Sequence, residues 1–248
     1  MELLGPPGVA EAKELAANWK PGVVLMRRGR GTASRSGPLG RTATGTGFYV
    51  SGEGHVVTND HVVAGCTEVR FQGSGTKVEV VTSDKVNDLA LLKAPSTVSD
   101  GAPLSPSPAG LRQGEEVVVY GFPLNSVLSS GGNLSMGVIS ALSGMGNNTS
   151  RIQITAPIQP GSSGSAVLDR KGHLVGVVAS TLAGTVGRDA VPAPQNVNFA
   201  VNGQTLRAFL DGSRVPYEVG SRFFDWSESN EKLGEAARKW TVLVECWE

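Results

Sequence analysis

Short runs of β-branched and other apolar residues recur along most of this chain, and glycine, asparagine, aspartate or serine separate each run from the next. Such runs are typical of short strands joined by turns. Glycine and proline, at 33 and 14 residues of 248, are more frequent than a helical protein would have. The sequence therefore predicts an all-β fold.

The strand-like runs form two series on either side of a connector. Residues 94–110 are rich in proline, serine, glycine and alanine and show no periodicity, as expected of a connecting segment. The runs before the connector are GFYV, HVVT, EVRF, VEVV and LALL, and those after it are VVVYGF, MGVISAL, RIQIT, SAVLD, LVGVVAS and VNFAV. We expect two similar β lobes with a crevice between them.

The two ends of the chain have different patterns. We expect a helix at residues 8–18, a strand at 23–26 and a Gly/Ser/Arg-rich loop at 27–41. After the second series, helices are expected at 203–213 and at 229–240, the second capped by Ser229 or Asn230, before the strand-like run TVLVECW. We predict that residues 206–248 form an extension that packs on the lobes.

Charge and hydropathy exclude several classes of protein. Lys+Arg and Asp+Glu both count 22, so no overall charge favours a nucleic-acid partner. No stretch reaches the roughly 18 consecutive apolar residues of a membrane span. The first twenty residues lack the basic start and apolar centre of a signal peptide. We expect neither nucleic-acid binding nor a membrane span.

The two cysteines, Cys66 and Cys246, are far apart and form no CxxC pair. Zinc ribbons and thioredoxin-like chemistry are therefore disfavoured. One long-range disulfide and two unpaired buried thiols both remain consistent with the sequence, since cysteine is often buried in either state.

A serine-rich turn is the strongest candidate for chemistry. In QPGSSGSAVLD, Gly161 and Gly164 flank two serines between strand-like runs. Glycines at positive φ let successive N–H groups converge on one point, as an oxyanion hole requires. A flexible surface loop would have the same composition, so this interpretation needs a partner base.

His61 is the best candidate for that base, because the polar turn TNDH leads there into an apolar run. His55 and His173 both follow glycine in apparent hairpin turns and are interpreted as structural. An orienting carboxylate is expected from Asp88, which directly precedes the apolar run LALL. Asp60 is adjacent to His61, where extended side chains diverge, and Asp84 has no apolar run to bury it.

Together, TGTGFYVSGEGHVVTNDHVV, NDLALLK, QPGSSGSAVLDRKGHLVGV and NVNFAV resemble the trypsin-like, chymotrypsin-fold serine peptidases, specifically the bacterial HtrA-like branch. The resemblance covers about residues 20–205 and keeps the order His, Asp, Ser. It implies two packed six-stranded β-barrels, one at about 20–95 and one at about 111–205, with the active site between them. Residues 1–205 would then form the peptidase domain.

The resemblance also assigns roles. It implies Ser163 as nucleophile, His61 as general base and acid, and Asp88 as the carboxylate that orients His61. The N–H groups of Gly161 and Ser163 would form the oxyanion hole. Ser162 is a weaker nucleophile candidate, because the Gly-x-Ser-Gly frame favours its neighbour. No metal or organic cofactor is implied.

Specificity and substrate binding follow from the same resemblance. Pro157 and Ile158 would form the base of the primary pocket, where a buried cationic side chain would lack a counter-charge. No histidine stands in NVNFAV, which disfavours acidic specificity, so small or medium apolar residues are expected before the cleaved bond. The backbone of residues 198–200 (Asn198, Phe199 and Ala200) would pair with substrate as an added strand.

The chain departs from the HtrA pattern at its end, because 47 residues after Val201 are too few for a PDZ domain of roughly 90 residues. The leading hypothesis is a serine endopeptidase acting on proteins or peptides outside the cytoplasm. The alternatives are a catalytically silent peptide-binding protein, and a peptidase domain of a longer chain. A Cys66–Cys246 disulfide would tie the C-terminal segment to the first barrel near His61.

Overall fold

The computed structural model describes residues 40–73, 75, 77–124, 131–181, 185–186, 191–192, 196–221 and 227–248. The helix expected at 8–18, the strand at 23–26 and nearly all of the loop at 27–41 lie outside the described residues. The prediction of an all-β fold is confirmed, because most regular structure in the described residues is strand.

Barrel one is a closed, six-stranded antiparallel barrel in the order β1-β14-β3-β4-β5-β2. A short helix, α1 (Asp60–Val63), lies between β2 and β3. Its strands are β1 (Arg41–Tyr49), β2 (His55–Thr58), β3 (Glu68–Phe71), β4 (Lys77–Asp84), β5 (Leu89–Lys93) and β14 (Thr241–Trp247).

The last strand of the chain closes barrel one. β14 pairs with β1 from Phe48↔Thr241 to Arg41↔Trp247, and with β3 on its other edge. The structure thus differs from the predicted division, in which residues 206–248 formed an extension and barrel one ended near residue 95. The reason is that the segment from β1 to β5 supplies only five strands, and the apolar run TVLVECW supplies the sixth.

Barrel two is also closed and six-stranded, in the order β10-β13-β8-β7-β6-β9. A 3₁₀ turn (Met145–Asn147) lies between β7 and β8 in the chain. The strands are β6 (Glu116–Gly121), β7 (Asn133–Ala141), β8 (Arg151–Ile154), β9 (Ala166–Leu168), β10 (Leu174–Thr181) and β13 (Asn198–Asn202). The prediction of two six-stranded barrels is confirmed.

A two-stranded antiparallel hairpin, β11 (Thr185–Val186) and β12 (Val191–Pro192), belongs to a different compact unit from the barrels. It pairs Thr185 with Pro192 and Val186 with Val191.

Two helices follow barrel two, as the sequence predicts. In α2 (Gly203–Gly212), the Asn202 side chain caps the first turn, and in α3 (Asn230–Trp240) the cap is Ser229, one of the two predicted residues. Leu233, Ala237 and Trp240 are the buried residues of α3, spaced so that they share one helix face. The Trp240 ring meets Phe48 of β1 edge to face at 6.3 Å, which joins α3 to the core of barrel one.

Cys66, which follows α1, and Cys246 of β14 form a disulfide in the structure, with their Cα atoms 5.3 Å apart. The bond links the segment carrying His61 to the C-terminal strand. In the residues that the structure describes, no helix is long and apolar enough to cross a membrane.

Candidate active site

The serine-rich turn joins β8 to β9 and packs against barrel one. Gly161 has φ +95° and Gly164 has φ +83°, values that L side chains rarely adopt. A Cβ on Gly164 would lie 2.0 Å from the carbonyl oxygen of Thr46 in β1. The Thr46 N–H also donates to the Ser163 carbonyl at 2.8 Å. Glycine at 164 is therefore required both by conformation and by the close approach of the two barrels.

The hydrogen bonds of this turn leave two amides open. The N–H groups of Ser162, Gly164 and Ser165 donate to the carbonyls of Gln159, Val178 and Ser162 respectively. Within the described part of the chain, the N–H groups of Gly161 and Ser163 have no acceptor. These are the two groups expected to form the oxyanion hole, and an oxyanion hole needs N–H groups that are free to donate hydrogen bonds to the developing negative oxygen.

The side chains of the two serines are in different surroundings. Ser162 is 5% exposed, and its Oγ accepts a hydrogen bond from the Gln159 N–H at 3.3 Å. Ser163 is partly exposed and lines the cleft. This difference favours Ser163 as the nucleophile, as the sequence indicates.

His61 and Asp88 are joined by short contacts in barrel one. His61 lies on α1, and its Nδ1 is 2.9 Å from each carboxylate oxygen of Asp88. The His61 backbone N–H donates to the same carboxylate at 3.1 Å. The His61 side chain is 49% exposed and that of Asp88 is 19% exposed. This arrangement fixes the ring so that Nε2 is the nitrogen left to face a substrate.

The two rival carboxylates are placed differently. Asp84 accepts hydrogen bonds from the N–H groups of Val86 and Asn87 and from the Asn87 amide. The Asn87 side chain, followed by these backbone donors, lowers the pKa of Asp84. Asp84 therefore shapes the turn before Asp88. Asp60 makes no hydrogen bond to the His61 ring among the described residues.

The backbone of Asp88 is held in an unusual conformation. Its φ is +58°, a region that a non-glycine residue enters only when its surroundings impose it. The fully buried Asn59 donates from Nδ2 to the Asp88 carbonyl at 2.8 Å. Sequence reasoning missed Asn59, although its position two residues before His61 in TNDH was a usable signal.

One cavity of about 530 Å³ collects the three predicted catalytic residues. It is lined by His61, Asp88, Met145, Asn148, Arg151, Ser163, Ala179 and Phe199. No hydrogen bond joins Ser163 Oγ to the His61 ring among the described residues, and such bonds often tighten only when substrate binds. Met145, Asn148 and Arg151 were not predicted, because only the tertiary fold brings the β7–β8 segment to this cavity.

The other two histidines, which the sequence indicates as structural, do not line this cavity. His55 Nδ1 contacts Ser51 Oγ at 2.8 Å, and its Nε2 lies 3.4 Å from Lys93 Nζ. Burial, and then the charge of Lys93, lower the pKa of His55. His173 is 8% exposed and its Nδ1 lies 3.4 Å from Asp169.

The expected substrate-binding residues are only partly brought to the cleft. The Phe199 side chain lines the cavity, whereas Asn198 is buried and donates from its amide to the Ala156 carbonyl. Ala200 is fully buried. Pro157 is exposed and Ile158 packs partly buried against the core of barrel two, so neither lines the described cavity.

The prediction that the backbone of residues 198–200 pairs with substrate is wrong. β13 is already paired on both edges, with β10 through Ala200↔Val178 and with β8 through Ala200↔Ile152. A strand with two partners has no hydrogen-bonding edge left for a third.

The free edge near the nucleophile belongs to β10 instead. Val178 pairs through both backbone groups with Gly164 and Ser165, and within the described residues the following segment 179–181 has a partner only on its β13 side. Sequence reasoning missed this edge, because strand edges are defined only by the neighbours that the fold supplies.

A metal site finds no support in the described residues, where no three His, Cys, Asp or Glu side chains come close enough to hold an ion.

Two closed six-stranded barrels, with histidine and aspartate on one and serine on a glycine-flanked turn of the other, define the class of double-barrel serine peptidases. The profile of the trypsin-like peptidase domain matches residues 45–177. This chain belongs to the trypsin-like peptidase family, and several of its relatives are HtrA-type proteases.

Several relatives were found. The chain is 40% identical over 215 residues to the uncharacterized protein y4bJ of Sinorhizobium fredii, covering 83% of this chain and 32% of that one. It is 32% identical to the serine protease Do-like HtrA of Lactococcus lactis subsp. lactis, covering 80% of this chain and 52% of the relative. The chain thus spans about a third to a half of the length of these curated relatives.

Among solved structures, the chain resembles the HtrA-type protease AlgW with tripeptide, at a TM-score of 0.56 and 30% identity. The match covers 70% of this chain and 56% of that chain. The serine endoprotease from Yersinia pestis, at a TM-score of 0.50 and 24% identity over 78% of this chain and 58% of that chain, shares the fold.

Proposed function

We propose that this protein is a serine endopeptidase that hydrolyses peptide bonds in proteins or peptides. The observation that carries the proposal is the placement of Asp88 at 2.9 Å from Nδ1 of His61, on the same cavity as Ser163. A base oriented by a carboxylate beside a hydroxyl on a glycine-shaped turn is the arrangement needed for acyl transfer.

In this mechanism the Ser163 hydroxyl attacks the carbonyl carbon of the peptide bond while Nε2 of His61 takes its proton. The N–H groups of Gly161 and Ser163 hold the oxyanion. The protonated His61 then gives its proton to the leaving amine, and an ester of Ser163 remains. Water, activated by His61, hydrolyses that ester and restores the serine. Asp88 stabilises the imidazolium in both halves of the reaction.

Small or medium apolar side chains are proposed before the cleaved bond. Asp88 is the only carboxylate among the described residues that line the cavity, and both its oxygens contact His61. A buried lysine or arginine side chain of a substrate would therefore lack a counter-charge there. Apolar surface is supplied by Ala179 and Phe199.

We further propose that substrate adds as a strand to residues 179–181, the free edge of β10. Val178 already pairs with the nucleophile turn, so a peptide continuing along that edge would bring its carbonyl to Ser163. Strand addition of this kind gives affinity through the main chain and specificity through alternate side chains.

An extracytoplasmic location is proposed for the protein. The Cys66–Cys246 disulfide supports it, because such bonds persist in oxidising compartments. A relative from Brucella suis, 31% identical, is described as a probable periplasmic serine endoprotease DegP-like.

A second candidate is a silent or latent peptide-binding protein. It is favoured by one observation, namely that Ser163 Oγ and the His61 ring share no hydrogen bond among the described residues. In this case the cleft would bind peptides without forming an acyl-enzyme, or would do so only after a rearrangement.

The two candidates are separated by labelling with a fluorophosphonate, followed by intact mass, with casein cleavage measured in parallel. We expect one label per wild-type molecule and none on Ser163→Ala, whose turnover should fall roughly 10⁶-fold. Ser162→Ala is the matched control and should still be labelled. A folded wild type that neither labels nor cleaves would overturn the proposed activity, and a labelled Ser163→Ala would reassign the nucleophile.

A further inference from the structure

An arginine in the active-site cavity has no role in the acyl-transfer steps. Arg151 opens β8 and lines the cavity together with His61, Asp88 and Ser163. Among the described residues it has no salt bridge. Within the described part of the chain, its guanidinium makes one hydrogen bond, from Nη2 to the Asn87 carbonyl at 3.4 Å. A guanidinium has five N–H donors, so most of its donors remain available.

The side chain of Arg151 is confined by the loop before it. A Cβ on Gly144 would lie 2.6 Å from Cβ and 3.2 Å from Cγ of Arg151, so the loop packs directly on the arginine stem. The same loop is closed by the Gly144 N–H and the Arg151 N–H, which both donate to the Asn148 carbonyl at 2.8 and 3.3 Å. A confined stem loses less rotamer freedom when its charged end binds a ligand.

Arg151 has no ion-pair partner among the described residues that line the cavity. Asp88 is the only acidic side chain among the described residues that line it, and both its oxygens contact His61. The described lining residues other than Asp88 and Arg151 carry no formal charge when His61 is neutral. The cavity therefore holds a cationic group that has no ion-pair partner among the described residues, beside a space large enough for a side chain.

The position of Arg151 decides which part of a substrate it would meet. It donates to the carbonyl of Asn87, the neighbour of Asp88, so its charged end lies close to the residue that orients His61. A peptide on the edge of β10 would present the cleaved carbonyl to Ser163, and its preceding residues would run along segment 179–181, which borders the same cavity through Ala179. Residues two to four before the cleaved bond would come within reach.

We propose that Arg151 is a specificity-determining residue that selects substrates with a glutamate or aspartate two to four residues before the cleaved bond. The proposal rests on the proposed peptidase activity, and it adds a requirement for a carboxylate outside the apolar primary position. A guanidinium pairs with carboxylates through charge-assisted hydrogen bonds, and these are stronger than neutral ones.

The test uses quenched fluorescent peptides with valine before the cleaved bond and glutamate, glutamine or lysine at each of the three preceding positions. We expect kcat/KM of the best glutamate peptide to exceed that of its glutamine twin by about 5- to 10-fold at low salt. The ratio should shrink at 1 M salt, where the Debye length is about 3 Å. A wild-type ratio of one at every position overturns the proposal.

Variants of Arg151 test whether this residue causes the glutamate preference. For each variant, the kcat/KM of the glutamate peptide is divided by that of its glutamine twin. Arg151→Gln should bring the glutamate-to-glutamine ratio to about one, and Arg151→Glu should favour the lysine peptide. Arg151→Lys should keep a reduced preference for glutamate, because it keeps the charge but loses the planar fork. Arg238→Gln, on the exposed surface of α3, removes the same charge elsewhere and should leave the ratio unchanged. An unchanged ratio in Arg151→Gln contradicts the proposal.

Peptide binding to an inactive variant tests the role of Arg151 independently of the proposed peptidase activity. The same peptides are titrated against Ser163→Ala, with fluorescence anisotropy as the readout. If the wild type labels and cleaves but shows no glutamate preference, only the role of Arg151 fails. If the wild type is inactive, a glutamate preference in binding still supports Arg151, and its absence overturns the role of Arg151 as well.

Discussion

The two barrels have the same strand number but are closed in different ways. Barrel two is built from one stretch of chain, from β6 to β13 at residues 116–202. Barrel one takes five strands from residues 41–93 and its sixth from 241–247. Its closing contacts include an Arg41–Glu245 ion pair at 2.9 Å and two backbone hydrogen bonds between Gly40 and Glu248.

Because of this difference, the two barrels that carry the catalytic candidates depend on different parts of the chain. The entropic cost of closing a loop rises with loop length. Because β14 is distant from the other strands of barrel one in sequence, closing barrel one costs more chain entropy than closing barrel two. Barrel one also has the disulfide. Barrel one carries His61 and Asp88, whereas barrel two carries Ser163. The C-terminal strand therefore supports the base and its carboxylate, although it contributes no residue to the described cavity.

The largest expected effect is at the contact between the barrels. Gly164→Ala would place a Cβ 2.0 Å from the Thr46 carbonyl oxygen at φ +83°, and neither backbone can easily move. We expect a loss of stability above about 4 kcal/mol, a size that marks severe core disruption, together with loss of fluorophosphonate labelling. Urea denaturation measures the first and intact mass the second.

Gly65→Ala is the matched control for that variant. Gly65 has nearly the same φ, +82°, but a Cβ there would meet nothing within 4 Å. The conformational cost alone is about 1–2 kcal/mol. Equal losses in the two variants would show that the approach of the nucleophile turn to β1 is not what requires glycine.

The disulfide should have the next largest effect, and the effect should be confined to barrel one. The Cys66→Ser, Cys246→Ser double variant removes a cross-link between residues 180 positions apart, which should lower the free energy of unfolding by about 3–5 kcal/mol. Hydrogen exchange should accelerate in β1, β3 and β14 more than in β6 to β10.

Adding a reductant to the double variant should change nothing further, whereas it should destabilise the wild type. Equal acceleration of exchange in both barrels would contradict the view that barrel one alone depends on this closure.

The smallest expected effect is the pH dependence from His55 in barrel one. Burial, and then Lys93, lower its pKa below the ordinary 6.5, so the unfolded chain binds a proton at a higher pH than the folded protein does. This contribution to stability is complete above about pH 6.5 and is lost as the pH falls through the lower folded pKa. Between pH 7.5 and 5.5 the urea midpoint should fall by a smaller amount in His55→Gln than in the wild type. Identical pH profiles of the wild type and His55→Gln would contradict this role of His55.

Much of the fold and the core of the site could be predicted from local patterns. The alternation of short apolar runs and turn residues indicated strands, and Ser229 before α3 indicated a cap. The motifs around His61, Asp88 and Ser163 indicated residues that the structure brings to one cavity. Each of these signals lies within a few consecutive residues, where backbone preference and hydrogen bonding act directly.

The substrate edge was predicted wrongly for a physical reason. The run NVNFAV is a good strand, and nothing in its residues shows that both its edges are already paired with β8 and β10. The membership of TVLVECW in barrel one could not be predicted locally either, because its partners β1 and β3 are roughly 170 to 210 residues away along the chain.

The sequence by itself determined the strands, the helix caps, the glycine-shaped serine turn and the types of residue able to do acyl transfer, since these depend on local conformation and chemistry. Only the tertiary structure decided that the last strand closes barrel one, that residues 179–181 of β10 lack a second strand partner among the described residues, and that Arg151 lines the cleft. Those features depend on which distant segments become neighbours, and that is set by the packing of the whole chain rather than by any one segment.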